Sequence, residues 1–308
     1  MLNLFIISIL KMSISIHIPF YNPNPEKKEG YRNLTRFDYL KENISNLKTL
    51  SIKNDIFIHT HNKFLDDKNL DAEIIKHEII ESDLNKGYLT WKCRHLMEKQ
   101  KNDYEYFSYL EHDIKFSEVN LQYWLKYQKK LDKRNFHLGF FVYEKNNFDN
   151  QNYSIHMTRK LDKFFMIDNQ KFIVNDFENY CCSWIYTKQQ FQNFLNSKWW
   201  SFKKRAHNYR HNYGITERAA IGFHGLNMSY FKATLIPEVN GQPIQDSFIE
   251  HMTNNYYGMK DLREVCKFKT NNVFVGLKKS EEVDDYFILK KFFKSILWKF
   301  KFITRKFN

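Results

Sequence analysis

Tyr104-Glu105-Tyr106-Phe107-Ser108-Tyr109-Leu110-Glu111-His112-Asp113-Ile114 is an apolar, aromatic run that ends in two acids separated by one residue. Tyr104 to Leu110 reads as a buried strand, and Glu111 and Asp113 follow at its carboxyl end. If the strand continues through them, alternation puts both carboxylates on one side and His112 on the other. Upstream, Tyr88 to Lys101 has helical spacing, with Leu89, Cys93, Leu96 and Met97 on one side. Further back, Lys53–His59 and Glu73–Ile80 read as strands, and Arg32 to Leu50 carries Leu34, Phe37, Leu40, Ile44, Leu47 and Leu50 at helical spacing. Ser13 to Phe20, SISIHIPF, is a β-branched strand that must stop at Tyr21-Asn22-Pro23-Asn24-Pro25. Strand, helix, strand in this order predicts an α/β fold with a mostly parallel sheet, and such sheets place ligands beyond the carboxyl ends of their strands.

Past the acids, His137–Tyr143, Lys171–Val174 and Tyr180–Tyr186 read as strands and Gln189–Trp199 as a helix. No Pro/Gly/Ser-rich linker or internal repeat divides the chain, so one continuous domain over residues 13–280 is expected, with halves of about 13–116 and 117–280. Residues 1–12 read as an apolar extension, too short to span a bilayer and without a basic leader or a small-residue cleavage site. With 43% apolar and 18% aromatic residues but only 9 Gly and 5 Pro among 308, the chain is globular, and disorder and collagen-like architectures are excluded. Cys93, Cys181, Cys182 and Cys266 form no CxxC pair or metal-finger spacing, which suits reduced thiols in the cytoplasm.

A formal charge of +13 favours a polyanionic partner. Much of that charge lies in Tyr286 to Asn308, which carries Lys and Arg but no acid, within a C-terminal segment of residues 281–308. Wound as a helix, Tyr286 to Asn308 places Phe292, Phe293, Ile296, Leu297, Phe300, Ile303 and Phe307 on one face and Lys290, Lys291, Lys294, Lys299, Lys301, Arg305 and Lys306 on the other. That pattern suits a helix lying on an anionic membrane surface, such as the inner face of a membrane, and equally a terminal helix packed on its own domain. A basic nucleic-acid-binding protein and a non-catalytic membrane-associated protein are the alternative readings of this charge, although no RNP, zinc or helix-turn-helix signature accompanies it. Gly-rich phosphate loops are missing too, which excludes a P-loop.

The helix Tyr88-Leu89-Thr90-Trp91-Lys92-Cys93-Arg94-His95-Leu96-Met97, a short spacer and the strand ending Glu111-His112-Asp113-Ile114 together resemble glycosyltransferases of the GT-A type. In that family an "LTW..R" helix precedes a "YxEDDI" strand. The resemblance covers roughly residues 13 to 260 and is strongest between Leu89 and Ile114. It implies a Rossmann-like GT-A fold and an enzyme that moves a hexosyl or pentosyl group from a UDP- or GDP-sugar to a glycan, lipid-linked or protein acceptor. It also implies a divalent cation, Mn²⁺ or Mg²⁺, at a DxD-like motif, where carboxylates offset the charge of the diphosphate. On this comparison Asp113 is the metal ligand, and Glu111 meets the ribose or reaches the metal through water. His112 stands where the family has Asp, which lowers the local negative charge.

Other positions follow from the same resemblance. Arg94 would approach the donor phosphates. Ile18-Pro19-Phe20-Tyr21-Asn22 is similar to an "IPTYN"-type start, so Pro19, Phe20 and Tyr21 would border the base and ribose, Tyr21 either stacking on the base or serving as a core aromatic. Glu217, in Tyr213-Gly214-Ile215-Thr216-Glu217-Arg218, matches the acid beneath the acceptor site; as base it would make the reaction inverting. It is equally placed to favour the positive end of a helix beginning there. His251 resembles the C-terminal histidine that completes the metal shell, with His224 as the rival.

Overall fold

The structure, a computed structural model, describes residues 12–61, 65, 68–146, 148–177, 179–201, 214–225, 228, 230–257 and 266–304, without the side chains of residues 295 and 297–304. They form two compact units that alternate along the chain. The first takes the described residues of Met1–Leu121, Tyr180–Gly222 and Glu250–Asn255; the second takes those of Gln122–Asn179, Phe223–Ile249 and Tyr256–Asn308. The units are thus interleaved and do not follow one another as consecutive halves.

The first unit is built on β1 (Ser13–Pro19), α1 (Arg36–Leu47), β2 (Lys53–Thr60), β3 (Glu73–Lys76), α2 (Leu89–Lys99), β4 (Tyr106–Leu110) and β5 (Ser183–Thr187). Its sheet has the order β5-β4-β1-β2-β3. All neighbours are parallel except β5, which runs antiparallel to β4 and pairs Trp184 with Tyr109. This is the mostly parallel α/β class that the sequence implies. Ile14, Ile16 and Ile18 are buried along β1, as are Ile56 and Ile58 on β2. Burial on both faces is why these strands read as apolar runs without clean alternation.

Element ends depart from expectation where side chains intervene. Helix α1 begins at Arg36 and not Arg32, because Thr35 caps it in a reciprocal box with Asp38. Leu34 is left outside, in a two-residue strand paired with Glu29. β3 stops at Lys76, and Ile80 is an exposed residue that leads into the short helix Glu81–Asn85.

The second unit is largely antiparallel. Lys163–Ile167, Gln170–Asn175 and Thr234–Val239 form successive hairpin-like neighbours, and Phe141–Asn146 pairs with Gln151–Ser154. Two tight turns have both central residues in the left-handed region, Asp168-Asn169 and Asn240-Gly241, as two-residue hairpins of right-handed twist demand. Phe141, Met157, Leu161, Ile173, Ile236, Val273 and Phe274 make its core. The expected C-terminal helix is present as Asp285–Thr304. Ile288 is buried and Lys291 is paired with Asp176, while Tyr286 and Phe293 are exposed. Arg305, Lys306 and Phe307 lie outside the described residues. Among the described residues no helix is long and apolar enough to cross a membrane.

Beneath the parallel sheet of the first unit runs a chain of imidazoles. Gln100 Oε1 accepts from His17 Nε2 at 3.1 Å, His17 Nδ1 meets His59 Nε2 at 2.9 Å, and His59 Nδ1 meets His77 Nε2 at 2.8 Å. With Gln100 Oε1 as the acceptor at one end, neutral rings each carry their proton on Nε2 and the chain points one way. Burial, opposed by the Gln100 bond, pushes His17 down to about 3; burial and the neighbouring rings push His59 down to about 2. Between these values and the ordinary value near 6.5, the unfolded chain binds the protons that the fold refuses, so stability falls as pH drops below about 6.5. Replacing His17 by Phe should therefore shrink the loss of unfolding free energy between pH 7 and pH 5 by about 2 kcal/mol, read from urea titrations at the two pH values. An unchanged pH slope would show that His17 is not held neutral.

Candidate active site

The peptide leaves β4 at Leu110 and turns instead of continuing as a strand. Ile114 N donates to Glu111 O at 3.2 Å, closing a tight turn over Glu111-His112-Asp113. The expected alternation of side chains along an extended strand therefore does not hold here. What brings the acids together is the turn and its supports. Glu111 N donates to Cys182 O at 3.2 Å, extending the β4–β5 ladder by one bond. Asn43, fully buried on α1, donates its Nδ2 to Glu111 O at 3.4 Å and His112 O at 3.2 Å. Met252 N donates to Asp113 O at 2.8 Å, and His251 pairs with Ile114 across a short antiparallel bridge. Phe20, also fully buried, sets its ring against His112 with centroids 5.6 Å apart. Its side chain packs beneath the turn as a core aromatic.

Each acid has its own environment. Asp113 is 7% exposed, and His251 Nε2 lies 3.2 Å from its Oδ2. Burial works to raise its pKa, but the imidazoles of His112 and His251 outweigh that and hold the carboxyl well below the usual carboxylate range. Glu111 goes the other way: burial, then the charge of Asp113, push it up to about 8, against the 3.0 Å bond it accepts from the Tyr180 hydroxyl. The charge of Glu217 acts on Glu111 in the same upward direction. Near neutral pH one acid is thus a carboxylate and the other still binds a proton, a division that lets two close acids do different work.

Glu217 lies in the first turn of α3 (Ile215–Ala220), whose N-cap is Gly214. Its carboxylate curls back over that end, accepting from Thr216 Oγ1 at 3.0 Å and lying against Gly214. The acid thus favours the helix N-terminus, and its charge also acts on Glu111. Tyr213, in the same segment, lies outside the described residues. Trp91 Nε1 on α2 fixes α3 by donating to Ile215 O at 2.9 Å.

Other expected residues are placed differently. Arg94 is 7% exposed and its guanidinium is boxed by Trp91, Phe194 and Trp200, 4.0 Å from the Trp91 ring centroid. It donates to the carbonyls of Trp199, at 2.9 Å, and Trp200. A cation so committed ties α2 to the segment after residue 195. His224 belongs to the second unit, stacked on His137 at 4.1 Å and hydrogen-bonded to Asn179 O at 3.1 Å. Of the two histidines, it is His251 that meets Asp113. Pro19 ends β1, opposite His59. Tyr21 follows, half-buried, its hydroxyl donating to Asn85 Oδ1 at 3.1 Å and its ring 5.2 Å from that of His61. Tyr21 and His61 stand just past the carboxyl ends of neighbouring parallel strands, where a flat ligand can be stacked.

Four residues at the site were not singled out in the sequence: Asn43, Tyr180, Thr253 and Gly30. Each acts through a contact between distant segments, which local patterns do not carry.

A divalent cation can be tested against these donors. Asp113 and His251 offer one oxygen and one nitrogen side by side, a set that suits Mn²⁺. His112 Nε2 is buried with no hydrogen-bond partner beside them. Among the described residues, no group of three or more His, Cys, Asp or Glu is arranged to hold a metal unaided. The donors fit a cation whose shell is completed by the diphosphate and water, as is usual where Mg²⁺ or Mn²⁺ accompanies a phosphate substrate.

By sequence the chain matches no family model and no curated protein. Solved structures to which it is similar include residues 1–349 of S. aureus TarS, with a TM-score of 0.40 and 10% identity over 78% of this chain and 60% of that one. A CMP:2-keto-3-deoxy-manno-octonic acid synthetase complexed with CTP follows, with a TM-score of 0.34 and 9% identity over 60% of this chain and 78% of that one. The inositol-1-phosphate CTP transferase of T. maritima gives 0.32 and 14% over 67% and 79%. The chain spans only about three-fifths of the TarS structure, and likenesses of this size assign no activity.

The turn also depends on Gly30. This residue has φ +67°, and a Cβ there would lie 1.7 Å from the Thr253 carbonyl oxygen, with Tyr31 N donating to that same oxygen at 3.1 Å. Gly30→Ala should lower the unfolding free energy by more than the roughly 1–2 kcal/mol of a left-handed alanine alone. Gly241→Ala, at φ +80° with nothing within 4 Å, isolates that backbone cost. Equal losses for the two variants in urea unfolding would show that the Gly30–Thr253 contact is not made.

Proposed function

We propose that this protein is a metal-dependent GT-A-type glycosyltransferase that uses a nucleotide-sugar donor. The observation that carries the reading is the buried Asp113–His251 pair, joined to Glu111 in one turn at the carboxyl end of a parallel strand. Open α/β sheets bind their ligands at this end. A divalent cation, Mn²⁺ or Mg²⁺, would be held by Asp113 and His251 and would supply charge stabilisation to the departing diphosphate. Glu111, still able to carry a proton near neutral pH, donates to a ribose hydroxyl oxygen or to a phosphate-bound water. Tyr21 and His61 border the base.

Glu217 acts as base in this reading. Its carboxylate takes the proton of the acceptor hydroxyl while that oxygen bonds to the anomeric carbon and the nucleoside diphosphate leaves with the bonding pair, which inverts the centre. In this reading Arg94 braces α2 through its Nη1, which donates to the Trp199 and Trp200 carbonyls, rather than meeting the donor phosphates. The acceptor is a glycan, a lipid-linked sugar or a protein. The basic helix Asp285–Thr304 draws the enzyme to an anionic membrane surface, where exposed Phe293 enters the interface.

The test is a panel of UDP- and GDP-sugars assayed for hydrolysis with Mn²⁺, with Mg²⁺ and with chelator. One donor should be turned over only with a cation, Asp113→Asn should lose at least about 100-fold, and Glu217→Gln should lose transfer while keeping donor affinity. Equal turnover by Asp113→Asn, or cation-independent turnover, would sink the reading.

A further inference from the structure

Thr253 is fully buried, yet its hydroxyl oxygen lies against both members of the proposed cation pair. Its Oγ1 is 2.9 Å from His251 Nε2 and donates to Asp113 Oδ2 at 3.3 Å, while those two atoms are 3.2 Å apart. The three atoms make a closed triangle. Before a cation binds, the hydroxyl can donate to the carboxylate and accept from His251 Nε2–H; a cation on Nε2 takes the place of that proton, and the hydroxyl's bond to Asp113 Oδ2 still orients the carboxylate.

The main chain of the same residue faces another element. Thr253 O accepts from Tyr31 N, and the left-handed Gly30 brings its Cα against that carbonyl so closely that only glycine fits. The Gly30 turn is in turn held to the start of α1 and to the end of the loop after β1. Arg36 donates to Glu29 at 2.9 Å and to Tyr21 O at 3.0 Å, and the Tyr39 hydroxyl donates to Glu29 O at 3.1 Å. One residue therefore touches the cation pair with its side chain and the Tyr21-to-Tyr31 loop with its backbone.

We infer that Thr253 is a positioning residue: its hydroxyl holds Asp113 and His251 at the spacing of neighbouring ligands, and its carbonyl fixes that pair to the loop that borders the nucleotide. This rests on the cation reading proposed above. It adds a role that the acid motif does not contain, and it explains why a threonine is buried without an apolar neighbour's advantage. Loss of a supporting hydrogen bond to a metal ligand commonly costs 10- to 100-fold in metal affinity.

The experiment is Mn²⁺ binding by the full chain, followed by the EPR signal of free Mn²⁺, for wild type, Thr253→Val, Thr253→Ser and Asp113→Asn, with thermal melts alongside. Valine keeps the branched shape and removes the hydroxyl; serine keeps the hydroxyl and removes the methyl. Thr253→Val should bind Mn²⁺ at least about 10-fold more weakly with serine restoring the wild-type affinity, and the melts should not track the affinities. Wild-type affinity in Thr253→Val, while Asp113→Asn has lost binding, overturns the role of Thr253 alone. Equal weakening in valine and serine overturns it as well, since packing and not the hydroxyl would then matter. If wild type takes up no Mn²⁺, this inference and the cation reading fall together.

Discussion

A carboxylate held at the surface of a low-dielectric interior must be answered locally, and Asp113 is answered by an imidazole and a hydroxyl from a segment nearly 140 residues away. The rest of the first unit follows from meeting that demand. His251 and Thr253 can reach Asp113 only because Ile114 pairs with His251 and Met252 donates to the Asp113 carbonyl. The chain must therefore leave the second unit and return for the short stretch Glu250–Asn255. On another side of the turn, Asn43 donates to the carbonyls of Glu111 and His112, the first of which also accepts from Ile114 N.

The parallel sheet makes such a turn possible. Parallel strands end together and need crossover helices, so their carboxyl ends gather loops that can be held by helix N-terminal residues. Here Phe20 and Tyr21 after β1, His61 after β2 and Glu111 after β4 arrive at one edge of the sheet. β5 adds an antiparallel border whose approach, through left-handed Cys182, brings the Tyr180 hydroxyl to Glu111. Burial of the β4 aromatics against Trp184 and Phe191 fixes the strand, with Phe107 stacked 4.0 Å from Phe191. Position of the acids is thus set by apolar packing, and their ionisation by polar contacts from other elements.

Much of the fold was legible because its signals are local. The apolar runs of β1, β2 and β4, and the three- and four-residue spacing of α1 and α2, mark elements without reference to any partner. Boundaries were missed where one side chain decides them, as Thr35 does for α1. The site was legible only in part. Asp113 and His251 do meet, but strand alternation does not describe Glu111 and Asp113, since the backbone turns at Glu111. Arg94 misled because an arginine on a helix looks the same in sequence whether it faces phosphate or the carbonyls of Trp199 and Trp200. Thr253 and Gly30 carried no signal at all, because each matters through a contact with a distant backbone atom.

The electrostatics of the turn point the same way as its geometry. Glu111, Asp113 and Glu217 bear on one another in a partly buried place, and like charges so close are costly unless something relieves them. Two reliefs are built in: Glu111 keeps its proton up to about 8, and Asp113 is paired with His251 and Thr253. A fold with no use for negative charge would replace such acids by neutral groups, which pack at lower cost. Glu217 has other support: its carboxylate accepts from Thr216 Oγ1 and rests on a helix N-terminus. A cation carrying a diphosphate, as proposed above, would offset the negative charge of such a turn.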